Sequence, residues 1–182
     1  GAPPFSSWIP DSYPQASPSG TVFLSAFTTK TAVFTLLVGF AGVTPLIWIG
    51  IYMALYGVVY GILENDIRRL LCYSLVNQVG FMLVGIGIGN ELAINGAAGH
   101  AFAHILYKAL LFMATGSVLF ATGRTKMNQL GGLYRTMPVT MICLIIGGLA
   151  ISGFPLTSGF TAKSLTVAGI TERANELAAA GE

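Results

Sequence analysis

Residues His100 to Phe112 read HAFAHILYKALLF. The stretch is apolar enough for a bilayer interior, yet it holds His100, His104 and Lys108, each four residues from the next. On an α-helix that step drifts by about 40°, so the three groups share one face over roughly 12 Å. Working outward, the surrounding apolar run extends from about Ala93 to Ala121. That is enough for the ~20 residues of a membrane crossing.

The rest of the chain has the same character. Of 182 residues, 54% are hydrophobic and 9% charged, with a mean hydropathy of +0.74. Soluble domains carry about 25% charged residues. The composition therefore predicts an all-α integral membrane protein, a multi-span helical bundle. A net charge of +2 without any basic tract gives no footing for nucleic acid. Cys72 and Cys143 lie in apolar segments without CxxC or metal-type spacing and read as buried, reduced packing residues.

Five apolar runs can be drawn, at about 21–43, 46–63, 70–89, 93–121 and 139–171. Before them, residues 1–19 are rich in Pro and Ser and read as an interfacial loop, with Trp8 and Tyr13 placed at headgroup level. After them, 173–182 reads as a polar tail. The fifth run is interrupted by Ser152-Gly-Phe-Pro155 and Ser158-Gly159. Two readings compete there. One is a helix broken near 152–159 at membrane depth, the kind of interruption that builds ion sites in transporters. The other is a simple loop between two spans, although 158–171 is too short to cross alone. No signal peptide is visible and the chain closes on a polar segment without an evident end, so a fragment of one larger domain is expected.

With five crossings the linkers alternate sides. Residues 1–19, 64–69 and 123–138 fall on one side with Arg68, Arg69, Arg124, Lys126 and Arg135, whereas the other side holds Arg173. The positive-inside rule makes the first side cytoplasmic, and the expected host is a bacterial inner (plasma) membrane.

Three lysines sit where lipid should exclude them. Lys30 is near the middle of the first run, Lys108 just past the midpoint of the fourth, and Lys163 about one turn beyond the interruption. Each central lysine costs about 2.5–3.5 kcal/mol on insertion scales. Snorkelling is the bland explanation, and it suits Lys163 better than Lys30 or Lys108, which lie far from span ends. Evenly spaced titratable groups on one face are the pattern of a proton path. The competing explanation for His100 and His104 is structural hydrogen bonding. A metal or haem ligated by the two histidines is a third option, weakened by the lack of a third His and of acidic residues within the spans. That lack also leaves Lys30 without an internal carboxylate, so its counter-charge is expected outside this chain.

Several ordered motifs resemble the proton-conducting membrane subunits shared by Mrp-type cation/proton antiporters and respiratory complex I. They are Trp8-Ile-Pro-Asp11, Pro18-Ser-Gly-Thr-Val22, Phe27-Thr-Thr-Lys30-Thr-Ala32, Asn65-Asp-Ile-Arg-Arg-Leu-Leu-Cys-Tyr-Ser74, Asn77-Gln-Val-Gly80, the stretch from His100 to Phe112, and Gly153-Phe-Pro-Leu-Thr-Ser-Gly-Phe-Thr-Ala-Lys163. Within that superfamily the chain is most similar to the D-subunit branch of Mrp antiporters. The resemblance implies an inverted-repeat fold whose repeats each contain a broken helix. It implies a proton relay in which Lys30 links two half-channels, His100, His104 and Lys108 connect, and Lys163 terminates. Arg68 stands where many members have lysine; an arginine holds its proton, so its implied role is electrostatic support. No cofactor or metal is implied for the subunit itself. The implied partners are other membrane subunits of a hetero-oligomeric antiporter or respiratory complex, the lipid bilayer, protons and Na⁺. The family's essential glutamate and lysine of the first half have no counterpart in the sequence.

Overall fold

The computed structural model describes residues 2–181. Among them the chain forms nine α-helices and no strand. Helix α1 (Trp8–Ser12) and a 3-10 turn precede α2 (Pro18–Phe23), a π turn (Leu24–Thr28) and α3 (Thr29–Gly39), which together make one crossing. Three long helices follow: α4 (Pro45–Leu63), α5 (Ile67–Ile88) and α6 (Glu91–Thr122). A short α7 (Leu133–Thr136) leads to α8 (Pro138–Ser152) and α9 (Ser158–Ala180). Four crossings, Pro18–Gly39 and helices α4 to α6, are long and apolar enough to span a bilayer.

Local chemistry sets these boundaries. Proline opens α2, α4 and α8, where its missing N–H costs nothing. The Asp66 carboxylate caps α5 by accepting from the Arg68 and Arg69 amides, and Asn90 caps α6 through the Ala93 amide. Between those helices Gly89 takes a left-handed φ of 79°, ending α5 one residue before the next cap.

Helix α5 is the centre of the bundle, with Cys72, Leu75, Val76, Met82 and Ile86 fully enclosed. It lies against α4 with backbone in contact: a Cβ on Gly50 would fall 2.6 Å from the Gly80 carbonyl, and one on Gly57 would fall 2.6 Å from the Tyr73 carbonyl. Small residues at such crossings let helices gain dispersion contact where lipid offers no hydrophobic drive. Elsewhere the outer surface is apolar, with Trp48, Leu55, Ile62, Phe120, Val139 and Ile146 exposed, as expected of a protein whose solvent is lipid.

Helices α8 and α9 run antiparallel to α6 as one interrupted rod. Gly147 packs on Leu111, Gly159 on Tyr107, Gly96 on Thr166, and Gly169 on Ala93. The non-helical residues 153–157 therefore come level with Ala103–Tyr107, halfway along α6. Gly153 and Leu156 both adopt positive φ there, 77° and 72°.

The linkers sort to two ends. At one, Asp66 and Lys126 form a β-bridge, the Ile67 amide donates to the Thr125 carbonyl, and Arg69 pairs with Glu64 at 2.9 Å and Asp11 at 3.6 Å. At the other, the Gly42 amide donates to the Ile86 carbonyl and Asn90 Nδ2 to the Gly169 carbonyl.

Three expectations need correction. Tyr13 is not an exposed ring: it is 1% exposed, and its hydroxyl donates to the Leu24 carbonyl. Residues 2–19 are not a plain loop, since α1 and a 3-10 turn fold within them and α2 starts at Pro18. The segment 173–180 is polar but continues α9 without a break. Of the two cysteines, Cys72 is buried and Cys143 partly exposed.

Candidate functional site

Lys30 sits two residues beyond the π segment. Widening the turn by one residue disturbs the regular i→i−4 ladder, and Lys30 Nζ takes up the Ser25 carbonyl at 2.7 Å and Thr29 Oγ1 at 3.2 Å. The side chain is 6% exposed. Pro18 packs on Gly116, and the twelve residues from Pro18 to Lys30 span about 18 Å. Lys30 thus lies level with His104 and Lys108, within electrostatic range of both.

The α6 groups are wholly enclosed: His100 is 1% exposed, and His104 and Lys108 are 0% exposed. Lys108 Nζ donates to the Leu71 carbonyl of α5 at 2.8 Å and lies 5.7 Å from the Phe112 ring centre. Next in line, the His104 ring stands 6.1 Å from that of His100 and edge-on to Tyr107 at 5.2 Å. Among the described residues neither ring nitrogen of His104 has a partner. His100 Nε2 meets Gln78 Oε1 at 3.0 Å and the Tyr107 hydroxyl at 3.3 Å, while its Nδ1 is buried without a partner.

Lys163 belongs to the second interruption. Its stem lies over Gly153, and its ammonium donates to the Ile151 carbonyl, in the last turn of α8. Unlike the others it is only half-buried, at an open groove of about 400 Å³ lined by Ser152, Gly153, Phe160, Ser164 and Val167. It is within electrostatic range of His100. Both terminal lysines are therefore held by backbone carbonyls at places where a helix is irregular.

Among the described residues no carboxylate pairs with Lys30, Lys108 or Lys163; the ion pairs are those of Arg69 with Glu64 and Asp11 and of Arg173 with Glu176. Lys30, Lys108, His104, His100 and Lys163 come together as one line of basic groups. Arg68 does not join it. Buried at the end of α5, its guanidinium donates to the Pro14 carbonyl at 3.0 Å, the Ala16 carbonyl at 3.1 Å and Thr21 Oγ1 at 2.6 Å. It ties the incoming segment and α2 to α5.

Sequence reasoning passed over Gln78 and Tyr107. Gln78 was legible as a lone amide in an apolar helix, a costly placement unless hydrogen-bonded. Tyr107 carried no such signal, because its ring suits any core.

Known proteins are similar to this chain in sequence and in fold. The sequence profile described as NADH:quinone oxidoreductase/Mrp antiporter, TM, matches residues 1–180. The chain is 33% identical over 180 residues to NADH-quinone oxidoreductase subunit N of Desulforudis audaxviator, covering 93% of this chain and 36% of that protein. It is also 33% identical over 177 residues to a probable K(+)/H(+) antiporter component of Rhizobium meliloti, covering 93% of this chain and 18% of that one. Its fold superposes on a chain of the Mrp complex from Dietzia sp. DQ12-45-1b with a TM-score of 0.89 at 27% identity, over 98% of this chain and 35% of that chain. The chain thus spans well under half the length of the relatives it matches.

Proposed function

The chain belongs to the NADH:quinone oxidoreductase/Mrp antiporter transmembrane family, and from that premise we propose that it conducts protons within a larger membrane subunit. The observation that carries this reading is the line of basic groups between two helix irregularities, none of which pairs with a carboxylate among the described residues. A buried group that is hydrogen-bonded but not ion-paired can gain or lose its proton without breaking a salt bridge. Lys30 hands the proton to the Lys108–His104–His100 face, and Lys163 exchanges it with the groove.

In the intact assembly the proton current drives export of Na⁺ or a similar monovalent cation, with the end that gathers 2–19, 64–69 and 123–138 facing the cytoplasm. The second reading, a proton-pumping subunit of a redox-driven complex, is favoured by the likeness to an NADH-quinone oxidoreductase subunit.

Proton flux in vesicles carrying the full-length protein with its partner subunits tests both, comparing wild type with Lys30→Ala. Sodium-driven flux that collapses in the variant supports the antiporter reading. Flux that ignores sodium but follows a quinone-linked electron donor selects the redox complex. Normal flux in Lys30→Ala in both settings overturns the relay.

A further inference from the structure

The polar side chains that meet His100 form a chain with a fixed direction. Asn77 Nδ2 lies 2.9 Å from the Ala54 carbonyl. A backbone carbonyl only accepts, so the Asn77 amide must place its NH₂ there and turn Oδ1 the other way. Gln78 Nε2 donates to that Oδ1 at 2.8 Å, which leaves Gln78 Oε1 as the atom facing His100 Nε2 at 3.0 Å. An amide oxygen also only accepts. Flipping either amide would set two acceptors against each other, so the order is dictated by the Ala54 carbonyl at its far end.

We propose that Asn77 and Gln78 are positioning residues that hold neutral His100 in the tautomer protonated on Nε2, so that His100 exchanges its relay proton through Nδ1. This rests on the relay reading above. With the hydrogen on Nε2, the Tyr107 hydroxyl, 3.3 Å away, receives from it and cannot donate to it. The second, independent observation is the other nitrogen: Nδ1 is buried and has no partner among the described residues. An incoming proton binds Nδ1 and gives an imidazolium with both N–H bonds intact. Its return to neutrality sends the proton back through Nδ1, because an amide oxygen is no base for the Nε2 hydrogen. His100 thereby works as a one-sided port next to His104, whose two nitrogens are both without partners among the described residues.

The test is ¹⁵N NMR of ring-labelled histidine in the full-length protein within its complex in lipid, with His100→Gln used to assign the His100 signals by subtraction. At high pH, wild type should show Nε2 protonated and Nδ1 bare. Gln78→Leu should lose that preference, and proton flux should fall about tenfold, the lower end of what losing the orienting partner of a metal-bound histidine costs. An Nδ1-protonated His100 in wild type overturns the proposal without needing any variant to fold. So does an unchanged tautomer in Gln78→Leu. If the tautomer shifts as expected while flux in Gln78→Leu and His100→Gln stays at the wild-type level, the positioning stands and the relay reading is what fails.

Discussion

Lys30 Nζ donates to the carbonyl of Ser25, five residues back across the π turn, at 2.7 Å. The contact couples a charged side chain to a local irregularity of its own helix. Retaining charge and retaining proton exchange can therefore be separated at this position. Lys30→Arg keeps a cation and a donor for the Ser25 carbonyl but holds its proton at all accessible pH. Lys30→His keeps exchange. Proton flux should be abolished in Lys30→Arg and partly kept in Lys30→His. Equal flux in Lys30→Arg and wild type would remove Lys30 from the path.

Arg68 makes the opposite prediction, a loss of stability ahead of any specific loss of transport. Three buried bonds link its guanidinium to Pro14, Ala16 and Thr21, and bonds from a charged donor contribute about 1.5–3 kcal/mol each. Arg68→Ala should cost about 3 kcal/mol or more, seen as a lowered unfolding midpoint of the purified complex. Arg68→Lys, with one ammonium in place of a planar fork, should recover only part of it. If Arg68→Ala unfolds at the wild-type midpoint, the tether is of no energetic consequence.

The membrane fold was legible because lipid enforces one rule, that buried backbone be paired within helices; long apolar runs with Pro or Asn at their starts then leave few choices. The five basic groups were visible for the same reason, as charges in runs that should have none. What sequence could not give was direction. Leu24-Ser-Ala-Phe-Thr28 contains neither Pro nor Gly, so nothing announces the π turn that presents the Ser25 carbonyl to Lys30. Tyr13 has the amphipathic ring of an interfacial anchor, and only its contact with α2 and the π turn reveals it as core. Arg68 reaches a carbonyl 54 residues away in sequence, a distance over which no periodicity speaks.

Glycine packing sets where Lys163 stands relative to His100. A Cβ on Gly96 would come 2.5 Å from the Thr166 amide nitrogen, so α9 must move outward in Gly96→Ala. Overpacking of this kind costs about 1–3 kcal/mol, and the displaced helix carries Lys163. Flux per folded complex should fall sharply in Gly96→Ala. Gly148→Ala is the control, since its Cβ would meet nothing within 4 Å; it should transport normally and be slightly more stable, as an alanine in a helix interior is favoured by about 0.5–1 kcal/mol. Parallel flux and thermal-unfolding measurements on the two variants decide whether helix register matters beyond stability.

Tyr107 separates a hydroxyl that carries the proton from one that only borders the path. Its ring stands edge-on to His104 and packs beside Ala103, Ala150 and Gly159, where α8 gives way to α9. Its hydroxyl is the weaker of two partners for His100 Nε2, at 3.3 Å against 3.0 Å for Gln78. Tyr107→Phe keeps the packing and loses one bond, worth about 0.7 kcal/mol or roughly threefold in rate; flux should fall by no more than that. Tyr107→Ala removes the ring and opens a cavity beside the helix break, costing about 3–5 kcal/mol, and should lose both stability and transport. A collapse of flux in Tyr107→Phe as deep as in His100→Ala would show that the phenol passes the proton itself. The path would then run from His100 through Tyr107 toward the interruption and Lys163, and not through Nδ1 of His100.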